Sequence, residues 1–238
     1  MIASVATKRW DWQWNHPDKG AISLYAWNTP LAVDPGSTYY DETLDLWYKR
    51  SKSHNMVTFD GDDTTENGAV ACFISDASLD YFDADMTAAV GGTYHRRVFF
   101  VKPYYYLIWD DIETARTAQY QLHVLTRDAE PPAFSSGGAP PWDRVLFPCQ
   151  NNIDLEVGIL APAAAAANGL LDCSADLYPV RFFAEVDAFP ALIQQRTPQW
   201  LRLDQSAALK DFITVLYPRK PTSASLQLTR FIQERDPN

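Results

Sequence analysis

Short alternating segments dominate this sequence, and no feature limits its fold more. From Ala21 to Trp27, Ile22, Leu24 and Ala26 point one way while Ser23, Tyr25 and Trp27 point the other, the period-two signature of a strand. Asn28-Thr29-Pro30 interrupts it, Leu31-Ala32-Val33 resumes it and Asp34-Pro35-Gly36 ends it, which predicts a β-hairpin. Met56 to Phe59 and Val70 to Ile74 read as further strands, and Arg97 to Val101 with Tyr104 to Trp109 as a hairpin around Lys102-Pro103. Gln119 to Thr126, Ile153 to Leu160, Val180 to Val186, Trp200 to Leu203, Phe212 to Tyr217 and Ser225 to Phe231 complete the series.

Aromatics make up 13% of the chain and 16 prolines recur at turn-like places, a composition suited to pleated, half-buried surfaces joined by tight turns. About a dozen short segments with no long 3.6-residue pattern between them predict an all-β fold, an antiparallel two-sheet β-sandwich with little helix. Residues 1–238 read as one continuous domain. Ala129 to Pro141, rich in Pro, Gly and Ser, reads as a surface loop, and Ala161 to Ala167 as a short helix or a linker.

Thirty acidic against 20 basic side chains give a net charge of −10, which argues against a general nucleic-acid or anionic-membrane binder. Cys72, Cys149 and Cys173 match no paired metal or redox spacing. No apolar run is long enough for a membrane span, and the N-terminal MIASVATKRWDWQW lacks the apolar core of a signal peptide.

Two of the four histidines lie in dense polar settings: His16, in Trp14-Asn15-His16-Pro17-Asp18, and His54, in Ser51-Lys52-Ser53-His54-Asn55. Asp34 stands between them at the end of the first hairpin. Imidazole and carboxylate are natural Zn²⁺ ligands, and a His-Asp-His set can hold a tetrahedral ion with one position open. The three are too far apart along the chain to form a local motif, so a metal site and an ordinary polar cluster both stay open. Tyr39-Tyr40 followed by Lys49, Arg50 and Lys52 offers a phenol whose proton a cation could mobilise, and a basic cluster able to hold a carboxylate or sulfate. Aromatic packing beside a solvated charged loop is the competing account.

The stretches His16-Pro17-Asp18, Ile22 to Trp27, Pro30 to Gly36 and Ser53-His54-Asn55-Met56-Val57-Thr58-Phe59-Asp60-Gly61 resemble the heparinase II/III-like family, and Arg96 to Asp111 looks like its next hairpin. Members are polysaccharide lyases acting on uronate-containing polymers, with an N-terminal α/α toroid and a C-terminal antiparallel sandwich. The resemblance implies that this chain is the sandwich, that its partners are an anionic polysaccharide and a toroid in the same or another chain, and that it works in the periplasm or outside the cell. It also implies a Zn²⁺ site formed by His16, Asp34 and His54, with Asp18 orienting His16. Tyr40, or else Tyr39, would be the tyrosine at the catalytic cleft, and Lys49, Arg50 and Lys52 would contact the polymer. Many members read H-x-H-x-D where this chain has Trp14, a side chain that stacks on sugars and transfers no proton. A lyase domain weak or inactive by itself, a carbohydrate-binding sandwich using Trp10, Trp12, Trp14 and Trp27, and a bare scaffold are the three functions this leaves.

Overall fold

The computed structural model describes residues 2–5, 16–36, 47–64, 66–127, 130–136, 143–165, 167–175 and 198–225. Among them the strands are β1 (Ile2–Val5), β2 (Ile22–Ala26), β3 (Thr29–Ala32), β4 (Val57–Phe59), β5 (Ala69–Ser75), β6 (Leu79–Asp85), β7 (Thr93–Val101) and β8 (Tyr105–Glu113). They continue with β9 (Ala118–Val124), β10 (Ala133–Ser136), β11 (Asp143–Pro148), β12 (Asp154–Ala161), β13 (Leu171–Ala175), β14 (Gln199–Gln205) and β15 (Leu209–Arg219). Two 3-10 turns, Ser51–Ser53 and Thr87–Ala89, lie between strands, and Trp47 and Tyr48 are helical.

The strands form two antiparallel sheets. The smaller runs β1-β2-β3-β9-β14-β13, with β4 also on β9, and the larger runs β10-β11-β12-β15-β8-β7-β6-β5. This is the two-sheet sandwich the alternation predicts. Ile22, Leu24 and Ala26 of β2 are buried while Tyr25 is exposed. They join Tyr120, Leu122 and Val124 of β9, Ile108 and Ile112 of β8, Leu155, Val157 and Ile159 of β12 and Phe212 and Leu216 of β15 in one apolar cluster drawn from both sheets. Full burial of each Val, Leu, Ile or Phe side chain among them contributes roughly 1.5–3 kcal/mol.

Several elements differ from the sequence expectation. Trp27 and Asn28, with φ of 45° and 59°, make the hairpin turn, so Thr29 and Pro30 open β3 instead of interrupting it. Strand β6 escaped the sequence pattern because its acids look like loop residues. In the sheet they find partners on the next strand and the turn after it: Asp80 pairs with Lys102, and Asp83 with the His95 ring and Arg97. Ala133–Ser136, inside the segment read as a loop, pairs with β11. Residues 162–165 and 167–169 are turns and bends, not a helix. The strand expected over Val180 to Val186 lies outside the described residues, as does all but Ser225 of the one expected over Ser225 to Phe231.

In the smaller sheet, strands β3 and β4 lie end to end along the same edge of β9, β3 opposite Val124 and β4 opposite Ala118 to Tyr120. Asn55 and Met56, the two residues after His54, fill the break between them with hydrogen bonds to His123 and Gln121 of β9. The break therefore holds His54 at the end of β3, where Asp34 leaves the sheet.

Candidate metal centre

Three chain segments converge at this end of the smaller sheet: residues 16–20 leading into β2, Asp34 leaving β3, and His54 closing the 3-10 turn before β4. His54 Nδ1 lies 2.9 Å from Asp34 Oδ2. Ligand atoms of Asp18, Asp34 and His54 all fall within 4.8 Å of one another, and no other group of three His, Cys, Asp or Glu side chains among the described residues does so. The His16 ring stands 5.3 Å from that of His54, tilted by 55°. Residues read as distant in sequence are therefore neighbours, and Asp18 stands inside the group with Asp34 and His54.

His54 exposes no surface, and its Nε2 is buried without a hydrogen-bond partner among the described residues. A buried imidazole nitrogen is costly to leave unpaired. The His54 ring, with two carboxylates and a second imidazole close by, belongs to a donor set that suits a divalent cation such as Zn²⁺. The electrostatics agree. Burial, together with His54 and Lys49, holds His16 below its ordinary value against the pull of Asp34 and Asp18, which favours the neutral, ligating imidazole. Burial pushes the Asp34 carboxyl up, but the hydrogen bond and charge of His54 and the Gly36 amide outweigh it, and the net shift is downward.

The loops are locked to one another. Lys19, almost fully buried, donates to the His16 carbonyl at 2.6 Å and to Asp18 Oδ1 at 3.1 Å. Ser51 Oγ donates to the Pro17 carbonyl and accepts from Thr64 N–H at 2.7 Å. Of the expected basic residues, Lys49 is close enough to His16 to influence its protonation. Arg50 is paired with Asp63 at 2.8 Å. The Lys52 ammonium lies 5.2 Å over the Trp47 ring, and its carbonyl accepts from His123 Nε2 at 3.1 Å. Trp10, Trp12, Trp14, Tyr39 and Tyr40 lie outside the described residues. Trp27 is 53% exposed, on the hairpin beside Tyr25. A separate depression of about 360 Å³ on the larger sheet is lined by Leu79, Phe99, Leu107, Trp109 and neighbours, none of them in the His54 group.

The sequence pattern did not single out Asn55, Arg96 and Asp110. Arg96 and Asp110 are both fully buried and joined by bonds of 2.6 and 2.9 Å. The signal was present: both occupy the apolar phase of their strands, between Tyr94 and Val98 and between Ile108 and Ile112. A charge in that phase must be paired.

A family model described as Heparinase II/III-like, C-terminal, matches residues 13–136. No curated protein matches the chain. Among solved structures, a heparan sulfate lyase HepC from Pedobacter heparinus shares 17% identity and a TM-score of 0.67 over 88% of this chain and 31% of its own. A heparinase III gives 14% identity, TM-score 0.69, 92% of this chain and 33% of the other. Another heparinase III gives 20%, 0.64, 86% and 30%. The chain thus spans about a third of the length of the solved structures it matches, and the likeness to them is one of fold.

Proposed function

The chain belongs to the heparinase II/III-like family, whose C-terminal domain it matches over residues 13–136, and on that premise we propose that it is the sandwich portion of a polysaccharide lyase that cleaves uronate-containing polymers by β-elimination. One observation carries this reading: the stretch that matches the family, residues 13–136, contains His16, Asp18, Asp34, His54 and the basic 49–52 loop, which fold to one end of the smaller sheet.

His16, Asp34 and His54, with Asp18 beside them, would hold Zn²⁺. Once bound, the ion supplies a fixed positive charge that braces the surrounding loops. The chain's own residues do the rest. Lys49 and Lys52 attract the anionic polymer to this end of an otherwise acidic protein. Arg50 acts through Asp63, securing residues 62–64 against the loop. β-Elimination removes the uronate C5 proton and expels the glycosidic oxygen at C4. Tyr40, or Tyr39 in its place, is the proton-transfer group this chain contributes. Trp14 stacks on a sugar ring where many members carry a histidine. The remaining acid–base machinery belongs to an α/α toroid in the same or a partner chain, in the periplasm or outside the cell.

The test is direct. The purified chain should bind heparan sulfate or alginate oligosaccharides, more weakly after Lys49→Ala and Lys52→Ala, with little or no rise in ultraviolet absorbance from unsaturated product. Strong turnover by the chain alone would refute the division of labour. Absence of any binding to uronate polymers would refute the substrate assignment. A second function, a non-catalytic carbohydrate-binding sandwich, is favoured by the exposed Tyr25 and Trp27 pair. It requires neutral sugars to bind as well as anionic ones, and Trp27→Ala to abolish that binding.

A further inference from the structure

At every second position of an antiparallel pair the two facing residues exchange both of their N–H···O bonds, and the bond from Leu125 N–H to the Leu31 carbonyl makes Val33 and His123 the next such pair. Val33 and His123 exchange only one, Val33 N–H to the His123 carbonyl at 3.0 Å. The Asn55 carboxamide stands where the other would be. Its Oδ1 accepts from His123 N–H at 2.6 Å, and its Nδ2 donates to the Val33 carbonyl at 2.9 Å. The second Nδ2 proton goes to the Ile22 carbonyl at 2.9 Å. The Asn55 backbone carbonyl accepts from Ile22 N–H at 3.1 Å and from Arg96 Nη1 at 3.0 Å. The same Nη1 reaches across the core to the Gly20 carbonyl. Gly20 has φ of +84°, a conformation strained for any residue with a side chain.

Each anchored position lies next to a candidate ligand. Val33 precedes Asp34, Asn55 follows His54, and Gly20 closes the loop that carries His16 and Asp18. We propose that Asn55 and Arg96 are positioning residues that together set the spacing of the ligand group. Asn55 is a wedge that opens the β3–β9 ladder where Asp34 departs, and Arg96 ties that wedge to the 16–20 loop. The inference rests on the proposed metal site for its consequence, though not for its geometry. Only a carboxamide can do the work of Asn55, because the site needs one acceptor and two donors in one plane. Arg96 can serve two carbonyls because its other nitrogens are already fixed on Asp110, which Tyr94 Oη also holds at 2.8 Å.

Two conservative variants of the full chain test this. Asn55→Asp keeps the acceptor but loses both donors. Arg96→Lys keeps the charge facing Asp110 but cannot also reach two carbonyls. Zinc affinity, by competition with a chromophoric chelator, should fall roughly 10–100-fold in each, the usual loss when groups that orient ligands are removed. The visible spectrum of the Co²⁺-substituted protein should change. Independently of any metal, backbone amide exchange of residues 16–20, 33–36 and 53–56 should accelerate together in each variant, while the 102–104 turn stays as it was. Acceleration confined to the mutated segment, or wild-type zinc affinity and Co²⁺ spectrum in either folded variant, would overturn the proposal. If the wild-type chain binds no zinc, the metal reading fails, and the exchange pattern still decides whether Asn55 and Arg96 couple the three loops. If Asn55→Asp does not fold, Arg96→Lys carries the same comparisons.

Discussion

Arg96 and Asp110 are cross-strand partners on β7 and β8 that point into the core, joined by two parallel hydrogen bonds where neither exposes any surface. Such a pair costs desolvation to bury, and removing one member strands the other. Arg96→Met should therefore destabilise the chain by about 3–5 kcal/mol in urea denaturation. The double variant Arg96→Met, Asp110→Leu should recover only part of that loss, because the Gly20 carbonyl and the Tyr94 hydroxyl still lose the partners that Arg96 and Asp110 gave them. Equal stability of the single variant and wild type would mean that the pair is not formed.

His54 supplies a fully buried imidazole whose Nε2 has no hydrogen-bond partner among the described residues. Elemental analysis of the purified chain should find stoichiometric zinc or another divalent ion. His54→Ala should lose it, and Asp34→Asn should weaken it. Unchanged zinc content in His54→Ala would sink the assignment.

His16 and Asp34 both have folded values below their ordinary ones of 6.5 and 3.8. Each binds fewer protons folded than unfolded, so each favours folding more as pH rises. The His16 contribution is present above 6.5 and is lost as pH falls below it through the lower folded value; that of Asp34 is present above 3.8 and is lost on further acidification. The midpoint of thermal unfolding of the chelator-treated chain should fall between about pH 7.5 and 5, and His16→Gln should flatten that fall. A midpoint that rises with acidification would contradict the stated direction.

Burial pushes the thiols of Cys149 and Cys173 up to about 12, so neither presents a thiolate near neutral pH. Cys72 lies partly exposed on the edge strand β5, whose neighbours Phe73 and Ile74 are exposed. Iodoacetamide added to the native chain should modify Cys72 first, as peptide mass mapping would reveal. Labelling of Cys149 at the same rate would show that the core around it opens readily.

Strand β2 and its hairpin with β3 were legible because one face of each is buried, and burial imposes the period-two pattern. Strands β6 and β10 were not. The acids of β6 find their partners only when the strand pairs with β7, and β10 is a short outer strand with no pattern to keep. His16, Asp34 and His54 could be nominated from residue type and resemblance. Asn55 could not, because a lone asparagine beside a histidine carries no mark of the ladder position it will occupy.

Composition and alternation by themselves determined that this chain folds as an antiparallel sandwich, and its motifs determined which family it joins. Both depend on local rules: side-chain periodicity, turn chemistry and residue type. Only the tertiary structure decided that Asp18 stands with Asp34 and His54, that Arg50 is bound to Asp63, and that Arg96 spans the core to the Gly20 and Asn55 carbonyls. Those contacts join residues far apart in the chain, and their energies depend on burial and mutual orientation, which arise only when the two sheets close on each other.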